Sequence, residues 1–288
     1  MANLKEIRNR ITSIKSTMQI TSAMKMVSAA KLKKAQDAIT AMRPYSSKLT
    51  ELLQNLSATL DSDASGEYSK QRVISKVLIV AVTSNRGLCG GFNSSITKEV
   101  VKTVQENYSN VKVDIFAIGK KGADVLAKKF NIIERRNDVF DDLTFDNVAA
   151  IAEELMTLYT SGAYDRIELV YNQFKNAATQ ITQVEQFLPI KPIDNIDASA
   201  VNADYIFEPS KEEIVLALIP KSLKTQLYKA IRDSFASEHG ARMTAMHKAT
   251  DNAKDLRDDL LLTYNKARQA AITNEILEIV GGAEALKN

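Results

Sequence analysis

Glycine and proline are placed in this chain so that two long stretches are left almost free of helix breakers. All ten glycines lie at or after Gly66, and the first 65 residues hold one proline, Pro44. From Lys221 to Val280 there is no proline and one glycine, Gly240. Glycine weakens a helix through its backbone entropy and proline through its missing N–H, so where both are absent a helix can run on. Sixty residues at about 1.5 Å rise make a rod of about 90 Å, longer than a domain of this mass is wide. A helix of that length needs something to pack against along its course. The two chain ends therefore read as rods, and the glycine-bearing middle as a different kind of structure.

The apolar residues of the rods support a coiled coil. Leu4, Ile7, Ile11, Ile14 and Met18 are spaced three and four apart in alternation, as an a/d seam requires. Ala35, Ala38, Met42, Tyr45, Leu49, Leu52 and Leu56 repeat the pattern in a phase shifted by three residues, which predicts a stammer. Pro44 falls inside this stretch and is expected to kink the helix or locally break its hydrogen bonding. Met246, Ala249, Ala253, Leu256, Leu260, Thr263, Ala267 and Ala270 form the matching seam near the other end. Its small alanines let two helices approach closely. An antiparallel pair of the chain ends, with the middle inserted between them, is the expected arrangement.

The last turns depart from a narrow seam. Ile272, Ile276, Leu277, Ile279, Val280, Ala283 and Leu286 spread over about half the helix circumference. If the N-terminal rod is the shorter, this tip projects with apolar surface bare, which implies a partner that surrounds it. A tip folded back on the middle of the chain is the other arrangement these residues permit.

The middle alternates strand-like and helix-like segments. Lys76–Ser84, Val113–Gly119 and Arg166–Phe174 are short and rich in β-branched residues, as buried parallel strands are. Helical stretches are expected near 94–107, 119–130 and 144–161, the last capped by Thr144 or Asp146. Gln180–Leu188 is expected to add an edge strand that stops at Pro189. The fold class is thus α/β: a long antiparallel coiled coil of N- and C-terminal helices with an inserted small Rossmann-like domain. The expected divisions are 1–60 for the first rod, 73–190 for the α/β domain, 191–210 for a linker or foot, and 211–288 for the second rod and tip.

Composition excludes several classes. A chain that is 45% apolar and 25% charged is that of a globular protein, and no run of about 18 apolar residues could span a membrane. The opening MANLKEIRNR lacks the apolar core of a secretory signal, so a cytoplasmic location is expected. One cysteine, Cys89, and two histidines, His239 and His247, leave little material for a disulfide, a zinc site or acid–base catalysis. Cys89 reads as a small buried thiol, and the histidines as solvated or seam-edge groups. The loop Arg86-Gly-Leu-Cys-Gly-Gly91 follows a strand and precedes a helix, as phosphate loops do, but it has neither phosphate-loop spacing. No catalytic residue, metal ligand or cofactor is expected.

Charge is uneven. The net +3 of the whole chain hides ten Lys/Arg against two acids in residues 1–50. With no aromatic before Tyr45, this rod cannot stack on nucleic-acid bases, and an acidic protein surface suits it better than a nucleic acid. A coiled-coil scaffold or adaptor remains open on these grounds.

The motifs resemble the gamma subunit of the rotary (F-type) ATP synthase, in its bacterial form. The resemblance runs through Ala23-Met-Lys-Met-Val27, Arg43-Pro-Tyr45, Ser84-Asn-Arg-Gly-Leu-Cys-Gly-Gly91, Ala241-Arg-Met243, Tyr264-Asn-Lys-Ala-Arg-Gln-Ala270 and Ile272-Thr-Asn-Glu-Ile-Leu-Glu-Ile-Val-Gly-Gly-Ala283. Asn85 departs from it, standing where that family usually has Asp. The resemblance implies a non-catalytic central shaft that couples ion-driven rotation of the membrane c-ring to conformational cycling of the beta subunits. It implies one copy with three alpha and three beta subunits, an epsilon subunit and the ring, at the cytoplasmic side of the bacterial inner membrane without insertion. Met24, Lys25 and Arg242 would face acidic beta-subunit regions, and Arg268 and Gln269 would hydrogen-bond a beta-subunit loop. Ile272, Ile276, Ile279, Val280 and Leu286 would turn inside a sleeve of alpha and beta subunits. Tyr205 and Glu208 would lie in the foot that meets epsilon and the ring.

Overall fold

The structure, a computed structural model, describes residues 4–57, 67–190 and 211–285. Its elements in chain order are α1 (Leu4–Ser57), β1 (Lys76–Val82), α2 (Phe92–Asn107), β2 (Lys112–Ile118), α3 (Lys120–Leu126), β3 (Asn131–Arg136), α4 (Phe145–Thr160), β4 (Arg166–Phe174), β5 (Gln180–Leu188) and α5 (Lys211–Ala285). Two compact units result: Met1–Ser28 with Met243–Asn288, and Ala29–Arg242.

The second unit is built on a five-stranded sheet in the order β3-β2-β1-β4-β5. The first four strands are parallel, and β5 returns antiparallel along β4. The pleat divides β1 between two cores. Leu78, Val80 and Val82 pack with α4 residues such as Leu155 and with Leu223, Leu227 and Ile231 of α5. Val77, Ile79 and Ala81 pack with Phe92, Ile96 and Val100 of α2 and with Ala123 and Leu126 of α3.

Several local expectations hold. Thr144 caps α4, its hydroxyl accepting from the Asn147 amide at 3.4 Å, and β5 ends before Pro189. The sequence reading missed β3. Its Asn-Ile-Ile-Glu-Arg-Arg is half charged because it forms a sheet edge, where no run of apolar residues is needed. The helix expected over 119–130 is only α3, because the chain must turn to supply β3. Gly119 before α3 is dictated by geometry: its φ is +100°, and a Cβ there would lie 2.1 Å from the Thr83 carbonyl oxygen.

In the first unit the helices run antiparallel. The Thr21 and Thr250 hydroxyls meet at 2.7 Å, and Arg8 donates to the Tyr264 hydroxyl at 2.7 Å, so moving back along α1 matches moving forward along α5. As far as Ile39 the expected phase shift does not appear, and the side chains of Leu52 and Leu56 lie outside the described residues. Inward burial on α1 proceeds through Ile7, Ile11, Thr21, Ser28, Leu32, Ala35 and Ile39 in one heptad phase, while Tyr45 is exposed. Apolar residues alone could not trace this seam, because Thr21 and Ser28 occupy it. On α5, Met246 and Ala253 are buried as expected, but Leu256 is 45% exposed. Arg257 and Tyr264 turn further inward than Leu256 and Thr263, their aliphatic and aromatic parts covering the seam. α1 continues through Pro44, where the ring leaves one carbonyl of the preceding turn without its helical N–H donor.

Candidate partner-binding surfaces

In the register set by Thr21–Thr250 and Arg8–Tyr264, α1 has run out by about Arg268. Every residue of 268–283 is exposed, Ile276 by 55% and Ile279 by 65%. Arg268 and Gln269 sit where this bare stretch begins, on the exposed surface. Ile272 and Val280 are bare with their neighbours. Leu286, Tyr205 and Glu208 lie outside the described residues.

Met24 and Lys25 are half-buried, and beside them Ile20, Met26 and Val27 are exposed. The middle of α1 thus carries an apolar stripe among its lysines. The sequence analysis drew an inward seam and a basic charge from that rod but not this outer stripe, although Ile20, Ala23, Met24 and Val27 have the spacing of one helix face.

Arg242 requires a correction. It was expected to face a partner, yet it is 7% exposed and bonded inside its own unit. Its guanidinium donates to Glu238 at 2.6 Å and to the carbonyls of Arg86 and Gly87 at 3.1 and 3.4 Å. The planar fork lets one side chain meet a carboxylate and two carbonyls together. Burial pushes the Glu238 carboxyl above the usual range even with Arg242 beside it. His239 is likewise buried rather than solvated; its ring packs edge-on to Phe235. Burial, then Arg242 and Lys31, push its pKa down to about 3. His247 does sit on the surface, 3.3 Å from Asp251.

The loop held by Arg242 closes on itself. Asn93 accepts from the Ser84 amide at 3.0 Å and donates to the Cys89 sulfur at 3.2 Å. Cys89 is buried, and burial raises its thiol pKa, opposite to what a nucleophile needs. Asn85 donates to the Asn137 carbonyl at 2.6 Å and accepts from the Lys120 amide at 3.1 Å. An ionised aspartate could only accept, so it could not make the bond to the Asn137 carbonyl.

This loop stands at the carboxyl ends of β1 and β4, where the chain's winding switches sides. In open α/β sheets, that crevice is where ligands bind. Here α5 crosses it. Ser234 donates to the Val82 carbonyl at 3.5 Å and Ser237 to the Asn172 carbonyl at 2.9 Å. Ile231 packs on one face of the sheet and Ala241 on the other. Among the described residues, no cluster of His, Cys, Asp and Glu could hold a metal ion, and no helix is long and apolar enough to cross a membrane.

The family described as ATP synthase matches residues 3–286. The ATP synthase gamma chain of Flavobacterium psychrophilum is 75% identical over the full length of both chains. The chain belongs to the ATP synthase gamma-chain family. Solved structures agree with this. One, of the central stalk and c-ring of the Tetrahymena thermophila mitochondrial ATP synthase, has a chain 27% identical with TM-score 0.59, covering 80% of this chain and 99% of that one. Another, from the Euglena gracilis mitochondrial ATP synthase, shares the fold at TM-score 0.72 and 24% identity over 98% of this chain and 94% of that one. Gamma-chain membership replaces the free-standing scaffold that composition and periodicity left open.

Proposed function

We propose that this chain is the central rotor shaft of an F-type ATP synthase. It couples ion-driven rotation of a membrane ring to the conformational cycle of three catalytic beta subunits. The observation that carries this reading is the bare apolar end of α5, which extends beyond the register of α1 and has no cover within the described chain. Burying such a surface is favourable, and a ring of alternating alpha and beta subunits offers a sleeve for it. Ile272, Ile276, Ile279, Val280 and Leu286 are the sleeve residues. Arg268 and Gln269 are placed to hydrogen-bond a passing beta-subunit loop, with a guanidinium fork that is directional yet free to release.

Met24, Lys25 and the apolar stripe beside them present a second contact. Basic charge attracts an acidic beta-subunit surface over a Debye length without one fixed lock, which suits a turning shaft. Each side of the shaft favours one conformation of the facing beta subunit, so shaft angle selects among nucleotide-site states. No residue of this chain takes part in bond chemistry. Residues 1–60 and 211–288 form the shaft, 73–190 the inserted domain, and 191–210, with Tyr205 and Glu208, the foot that meets epsilon and the c-ring. The assembly lies peripherally at the cytoplasmic side of the bacterial inner membrane.

The test is reconstitution of the whole complex in membrane vesicles. Arg268→Ala is expected to lower ATP synthesis while the shaft stays folded by circular dichroism; unchanged synthesis would remove the catch assignment. Deleting the final turns after Ile279 is expected to weaken assembly and coupling, and indifference to that loss would remove the sleeve contact.

A further inference from the structure

The crevice at the carboxyl edge of the sheet is, in this fold class, a place for a ligand, and here α5 fills it. α5 enters on one face, with Leu227, Ala230 and Ile231 in one core. It crosses the ends of β1 and β4 at Ser234 and Ser237, and Ala241 reaches the other core. At the crossing, backbone carbonyls of the sheet and its loops accept from the helix: Val82, Asn172, Arg86 and Gly87. Asn172 is itself fixed, donating to the Phe92 carbonyl at 3.0 Å and accepting from Thr182 at 2.8 Å.

Gly240 sets the depth of the crossing. A Cβ at that position would lie 3.2 Å from the Ala177 Cα and 3.3 Å from its carbonyl oxygen, tighter than ordinary contact and against backbone. Glycine inside an α-helix costs about 1 kcal/mol relative to alanine, so a reason to keep it must come from this close approach. A helix touching only one face of a sheet can roll on its apolar side chains. One that straddles the sheet edge, with bonds to carbonyls of β1, of β4 and of the loop after β1, cannot rotate about its axis without breaking them.

We propose that this crevice has become a torque coupling: the socket through which rotation of the inserted domain is passed to α5, with Ser237, Gly240 and Arg242 as its positioning residues. The inference rests on the rotor-shaft reading. It adds that force enters the shaft at the switch point of the sheet and that the crevice is closed to small ligands because it serves this purpose.

The experiment uses the whole ATP synthase carrying this chain in inverted membrane vesicles, measuring ATP hydrolysis and ATP-driven ion pumping on the same preparation. The series is Gly240→Ala, Gly240→Val, and Gly240→Val with Ser237→Ala. The expected result is a graded fall in pumping per ATP hydrolysed, severalfold at the end of the series, with subunit content unchanged. A socket that only stabilises the fold would lower assembly, hydrolysis and pumping together and leave their ratio constant; that result, or a ratio unchanged across the series, overturns the proposal. If Gly240→Val fails to assemble, Gly240→Ala and Ser237→Ala singly carry the same ratio test. Absence of pumping with the unsubstituted chain would instead overturn the rotor reading itself.

Discussion

Two stretches of α5 have environments opposite to their compositions. No residue of 222–242 is exposed, although that stretch holds Lys224, Lys229, Arg232, Asp233, Glu238, His239 and Arg242. Every residue of 268–283 is exposed, although that stretch holds Ile272, Ile276, Leu277, Ile279 and Val280. Within one helix, the charged part lies inside and the apolar part outside. Charge is tolerated there where it finds partners, as Arg242 finds Glu238 and two carbonyls. The bare isoleucines have no partner in their own described chain, so their composition carries information about another molecule.

The contrast can be tested first by truncating one apolar side chain in each stretch. Leu227 is fully buried in the core shared by β1, α4 and α5. Leu227→Ala is expected to destabilise the isolated chain by about 2–5 kcal/mol, through lost burial and the cavity left behind. Ile276→Ala should change it by less than about 0.5 kcal/mol, since nothing is uncovered. Urea unfolding followed by circular dichroism gives both numbers, and similar values would mean that the tip is covered in solution.

A smaller effect separates the stretches by pH. His239 stays neutral in the folded chain down to about 3, held there by burial, Arg242 and Lys31. In the unfolded chain it takes up a proton near pH 6.5. The unfolded state therefore binds more protons between those values, and stability falls as pH drops below about 6.5. Between pH 7 and 5.5 this amounts to about 1 kcal/mol. His239→Gln should lack that component when urea midpoints are compared at the two pH values. An identical decline in both proteins would place His239 in water.

The smallest effect concerns register. The Thr21–Thr250 contact is a polar pair in the seam that also buries Ile7, Ile11, Met246 and Ala253. A double-mutant cycle with Thr21→Val and Thr250→Val should return a coupling of about 0.5–1.5 kcal/mol, as one partly buried hydrogen bond does. A coupling near zero would mean that the pair does not help set the pairing of α1 with α5.

What the sequence revealed depended on whether the signal was local. Breaker-free stretches showed the two long helices, and β-branched runs showed β1, β2 and β4, because each core strand needs its own apolar residues. β3 stayed hidden because an edge strand can be Asn-Ile-Ile-Glu-Arg-Arg and still pair. Part of the α5 seam was misplaced: Leu256 and Thr263 are exposed, while the neighbouring Arg257 and Tyr264 are half-buried. At the proposed contact surfaces, the apolar tip was legible as a pattern. The inward turn of Arg242 was not, since the carbonyls it binds lie about 155 positions away in the chain. A charged residue on a helix gives no sign in sequence of whether water or a distant loop receives it.

Gly281 and Gly282 stand side by side near the end of α5, and a Cβ on either would point into open space. Each lowers helix stability by about 1 kcal/mol relative to alanine, and no contact offsets the loss. Two adjacent glycines therefore make these turns less stiff than alanine would at the same positions. Under the sleeve reading proposed above, a tip softened in this way would act as a pivot that takes its shape from the bearing, so that small irregularities in that surface would be absorbed there and not passed down the rod as bending.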